Sequence, residues 1–114
     1  MNADSRQPQI PKRFLILNTQ SFLQASKNRS YREHALTMFR ALAQFFDEQR
    51  YAVCLLVPLF EADPAKFQVY SCDLTDEGML WVRSHFGAWS KRMDRRTKVQ
   101  SFEDYLKSLR DTLE

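Results

Sequence analysis

A chain of 114 residues has room for one domain around one hydrophobic core. A hydrophobic fraction of 44% and an aromatic fraction of 13% exclude wholesale disorder, while two Gly and four Pro are too few for a many-turned β-sandwich. The net charge of +3 is below what an obligate nucleic-acid binder carries.

The charge is unevenly placed. Residues 6–40 carry seven Lys/Arg against Glu33 alone, a net of +6. Residues 46–77 carry Arg50 and Lys66 against seven acids, a net of −5, and residues 91–98 carry five cations against Asp94, a net of +4. Such segregation either steers a charged partner or cancels between patches that lie side by side in the fold.

In chain order, residues 1–11 are polar with Pro8 and Pro11 and predict a flexible arm ahead of a single helical domain over 12–114. This opening lacks the charged-then-apolar layout of a secretory signal, and no apolar run approaches the roughly 20 residues of a membrane helix, so a cytoplasmic location and no membrane contact are expected. Residues 12–28 are open between two readings. The apolar run Phe14 to Leu17 fits a short strand or the start of a helix continuing through Phe22 and Leu23, with helix preferred. Residues 31–49 predict the clearest helix. Ser30 and Glu33 have capping-box spacing, and Tyr31, Ala35, Met38, Phe39, Leu42, Phe45 and Phe46 form one apolar stripe, with Asp47 turned to the opposite side.

Residues 51–57 and 67–72 are rich in β-branched and aromatic residues and predict an antiparallel pair centred on Asp63, with Cys54 opposite Cys72. Pro58 would keep the first strand short or at an edge. Both cysteines are expected reduced, as small buried apolar residues. Residues 76–96 predict a second helix capped by Thr75, with a buried stripe of Met79, Val82, Phe86, Trp89 and Met93. Gly87 suggests a close helix crossing. Trp81 lies more than 100° from that stripe and is either enclosed by neighbouring segments or exposed as an interface anchor. Residues 102–113 predict a third helix capped by Ser101, with Phe102, Tyr105, Leu106, Leu109 and Leu113 as its stripe. The expected class is mainly α (α+β): three to four helices with at most a short two-stranded antiparallel element.

Chemistry-bearing motifs are scarce. The chain has no Gly-rich phosphate loop, H-E-x-x-H or Cys-x-x-Cys, so no metal, cofactor or catalytic residue is expected. His34 and His85 stand on separate helices and are expected to be structural. Asp73, Asp76 and Glu77 match helix capping better than acid–base work. The run Lys91, Arg92, Arg95, Arg96 and Lys98 is either a solvated helix end or a patch facing anions. Polar groups are thus expected to end helices and wet surfaces, with none gathered into a reactive pocket.

The stretch Cys72 to Gly78 (Cys-Asp-Leu-Thr-Asp-Glu-Gly) is followed by Trp89, by Asp94-Arg95-Arg96, and by Phe102, Tyr105, Leu106 and Leu109. This pattern, covering roughly residues 67–110, resembles small bacterial immunity proteins encoded beside polymorphic or contact-dependent growth-inhibition toxins. The resemblance implies tight stoichiometric binding of a cognate toxin in the cytosol, without catalysis. Immunity proteins that cap nuclease toxins are often acidic, whereas only the 46–77 region is acidic here. That implies either that this region faces the toxin or that the toxin has an acidic surface. The candidate partner-binding residues are Asp63, Asp73, Asp76, Glu77, Trp81, Lys91, Arg92, Arg95 and Arg96. A competing expectation is a small nucleic-acid-binding regulator using the basic 91–98 segment.

Overall fold

The computed structural model describes residues 14–25, 28–95 and 101–113. The expected arm at 1–11 lies outside them. The chain runs β1 (Leu15–Asn18), α1 (Thr19–Gln24), α2 (Arg29–Gln49), α3 (Val57–Ala62), β2 (Gln68–Tyr70), α4 (Asp76–Trp81), a π-turn (Val82–Phe86), α5 (Gly87–Asp94) and α6 (Phe102–Asp111). It is mainly α with one short antiparallel pair. Among the described residues no helix is long and apolar enough to cross a membrane.

α2 is the axis. Its predicted stripe is buried from Ala35 to Phe46, and Ala41 and Ala43 are buried too, because α2 is covered on more than one side. Its start corrects the expected capping box. Asn28, not Ser30, is the cap, and its side chain accepts from the Tyr31 N–H. The far end stops at Arg50, which adopts a left-handed conformation (φ 58°) and lets the Tyr51 N–H return to the Phe46 carbonyl.

The expected hairpin is not formed. β2 pairs with β1, with Leu17 facing Val69 and Asn18 facing Gln68, so residues 15–18 are strand rather than the preferred helix. Leu17 and Val69 are buried. Of the 51–57 partnership the Ala52–Leu74 bridge remains, flanked by the Val53 N–H to Asp73 carbonyl and Thr75 N–H to Tyr51 carbonyl bonds. The reason is Asp47. Its carboxylate, expected on the solvent side of α2, accepts from the Leu56 and Val57 N–H groups at 2.6 and 3.0 Å. That caps α3, whose first turn holds Pro58, a residue suited to a helix start and unsuited to a strand. The chain therefore bends away after Val53, leaving Cys54 and Cys72 exposed instead of buried.

The 76–96 helix is present from Asp76 to Asp94, interrupted by a π-turn. Thr75 caps it as expected, accepting from Gly78 N–H. In an ideal α-helix, Trp81 and Trp89 would point about 80° apart. The extra residue of the π-turn brings them to within about 20°. Both then face α6, where the Trp81 indole donates to Thr112 and the Trp89 indole donates to Ser108, each at 2.8 Å. Trp81 is therefore core, and the candidate anchor role for it is corrected. Met79, Val82 and Phe86 are only half-buried, with Gly78 and Trp81 taking the inner positions ahead of the turn. The close crossing also belongs to Gly78. A Cβ there would sit 2.2 Å from the Tyr51 carbonyl oxygen, whereas one on Gly87 would meet nothing within 4 Å.

Candidate interaction surface

The most polar interior contact joins three helices. His34 of α2 bonds through Nδ1 to the Tyr105 hydroxyl of α6 and through Nε2 to Asp94 of α5 at 2.8 Å. A histidine thus does meet a carboxylate. Yet His34 is 7% exposed and Tyr105 0%, so the trio acts as a clamp between helices, with little room for a substrate at the imidazole. Asp94 also raises the pKa of the Tyr31 phenol, after the larger effect of burial. Among the described residues no group of three or more His, Cys, Asp or Glu could hold a metal ion.

Using Asp94 internally has a surface consequence. Lys91, Arg92 and Arg95 line one open depression of about 510 Å³ with Gly87 and Ala88, and none of the three is in an ion pair among the described residues. Sequence reasoning counted Asp94 against this run, but the fold removes it. Arg96 lies outside the described residues.

The acids divide likewise. Asp47 caps α3, Glu61 lies 3.9 Å from Arg40, and Glu48 accepts two bonds from Arg110. Those bonds hold the Glu48 carboxyl below the ordinary carboxylate range. Of these, the Arg40–Glu61 contact joins the basic 6–40 stretch to the acidic 46–77 stretch. Asp63, Asp73, Asp76 and Glu77 have no ion pair among the described residues. Asp63 and Asp73, ten residues apart in sequence, are brought together in a depression of about 360 Å³ with Leu59, Lys66, Phe67 and Tyr70. Asp73 also accepts from the Tyr70 N–H at 2.8 Å.

Glu77 lines a separate groove of about 350 Å³ with Tyr51 beyond α2, Leu80, Trp81, Ser84 and His85 of the α4–π segment, and Thr112 and Leu113 beyond α6. Leu80 is 65% and Leu113 46% exposed. The Tyr51 phenol is pushed above its usual pKa by burial and then by the charge of Glu77. His85 packs on Trp81 with ring centroids 5.9 Å apart. Tyr51, Leu80, His85 and Leu113 were not among the expected partner residues. Tyr51 joins α4 through contacts distant in sequence, with Thr75 Oγ1 and the Thr75 N–H both donating to the Tyr51 carbonyl.

No family model, curated protein or solved structure matches the chain.

Proposed function

We propose that the protein is a binding module that neutralises a cognate bacterial toxin by stoichiometric association in the cytoplasm of the producing cell. The resemblance of residues 67–110 to immunity proteins supplies the partner class. One observation carries the choice of face. Within residues 46–77, Asp63, Asp73, Asp76 and Glu77 have no ion pair among the described residues, and they lie beside exposed apolar residues. Val53 bonds to Asp73, Leu59 shares its depression, and Leu80 shares the groove of Glu77. Acids that steer and apolar side chains that bury suit a partner with a basic, partly apolar surface. This reading needs no catalytic group, metal or cofactor.

The test uses the toxin domain encoded in the neighbouring reading frame, purified and titrated with this protein. Submicromolar one-to-one binding is expected, with association slowed about tenfold by Asp63→Lys or Glu77→Lys. Absence of binding ends the proposal. Unchanged association in both variants moves the contact face elsewhere.

A second reading has its own observation. The unpaired Lys91, Arg92 and Arg95 could contact nucleic-acid phosphates. Duplex DNA or RNA affinity that falls steeply with added salt, and that Arg92→Glu removes, would favour this reading over the first.

A further inference from the structure

The groove of Glu77 supports a more specific statement, resting on the acidic-face reading above. We propose that it is a socket for a single arginine side chain presented by the partner protein.

The lining decides the ligand's charge. Among the described lining residues Glu77 is the only Asp, Glu, Lys or Arg, and no described cation lies within 4 Å of it. It also stands at the surface, where its carboxylate keeps open acceptor sites. The rest of the lining decides the ligand's shape. Leu80 and Leu113, both exposed, form apolar walls that would cover the methylene stem of a long side chain. Tyr51 and His85 present half-buried rings, against which a planar guanidinium stacks better than an ammonium. Burial raises the Tyr51 phenol first, and the charge of Glu77 adds to that. A volume of about 350 Å³ is small for a folded element and ample for one side chain. An anionic ligand would meet Glu77 head-on, and a purely apolar one would leave its carboxylate desolvated.

The two tryptophans give the experiment an internal control. Trp81 lines the groove, whereas Trp89 is buried against Ser108. The probe is acetyl-Gly-Arg-Gly-amide, titrated into the full-length protein and followed by the two indole N–H resonances. Matched peptides with Lys, norleucine or Glu in place of Arg serve as comparisons. The arginine peptide is expected to shift the Trp81 signal saturably in the millimolar range and leave Trp89 in place. Lysine should bind more weakly, and norleucine and glutamate not at all. Glu77→Gln, an exposed substitution, should weaken the arginine peptide about fivefold, and so should 0.5 M salt in the unaltered protein. Equal responses to arginine and glutamate peptides would overturn the socket, as would no Trp81 shift or one indifferent to both Glu77→Gln and salt. Arginine binding in a protein that ignores the neighbouring toxin keeps the socket and sinks the neutraliser. Toxin binding without any peptide response does the reverse.

Discussion

The helix from Asp76 to Asp94 has two halves with opposite relations to the rest of the molecule. Ahead of the π-turn, Gly78 is pressed against the Tyr51 backbone and Trp81 is enclosed by Phe45, Phe46 and Tyr51. Beyond it, Gly87 and Ala88 stand open and three cations share their face. Each half carries one carboxylate near a phenol, Glu77 by Tyr51 and Asp94 by Tyr31. The comparison teaches that the π-turn is what lets one helix seal the core twice. Without its extra residue, the two indoles could not both reach hydroxyls one turn apart on α6.

The largest expected effect follows from removing that residue. Arg83 is exposed within the turn, so its deletion costs no core side chain but would restore a uniform α-helix. The halves would rotate by about 100° relative to one another, and one tryptophan would leave its site. A loss on the order of 4 kcal/mol is expected, comparable to truncating a buried Trp, read by urea unfolding and by loss of one downfield indole resonance. Undiminished stability would show that the turn is incidental.

The glycines sharpen the same contrast with opposite signs. Gly78→Ala places a methyl group into the Tyr51 carbonyl and should destabilise by at least about 2 kcal/mol. Gly87→Ala, at helical φ −59° and ψ −49° with open space around it, should stabilise by about 1 kcal/mol. Thermal melts of the two variants against the parent decide this. Equal effects would mean that the halves are packed alike.

These features mark how far the sequence could be read. Local signals were legible. Thr75 and Ser101 cap α4 and α6 because each needs only its own side chain and the next turn. The stripe of α2 was legible because its apolar positions hold their period over 21 residues. Apart from the start of α2, capped by Asn28 instead of Ser30, what failed was non-local. The β1–β2 pairing joins segments about fifty residues apart, and period cannot reveal a partner. The strand expected at 51–57 lost to Asp47, whose capping of α3 acts from the other side of a turn. The Trp81 phase was lost because a fixed 100° step assumes no insertion. In the candidate site, Glu77 and the cations of α5 were visible as charge, but which charges stay unpaired depended on Asp94 finding His34 and Glu48 finding Arg110.

The smallest effect probes both halves at once, through the two phenols. Burial first, and Asp94 or Glu77 second, raise the pKa values of Tyr31 and Tyr51 in the folded protein above the ordinary value near 10. A raised folded value means that the native state holds its proton more tightly than the unfolded chain does. The associated stabilisation is therefore complete below about pH 10, and it disappears as pH rises from there through the folded values. Urea unfolding between pH 8 and 11 should show stability falling on the alkaline side. Tyr31→Phe and Tyr51→Phe should each remove part of that slope, and neither should change the pH dependence below 9. If only Tyr51→Phe flattens the slope, the carboxylate–phenol pairing distinguishes the halves instead of uniting them, and Asp94 acts on His34 alone.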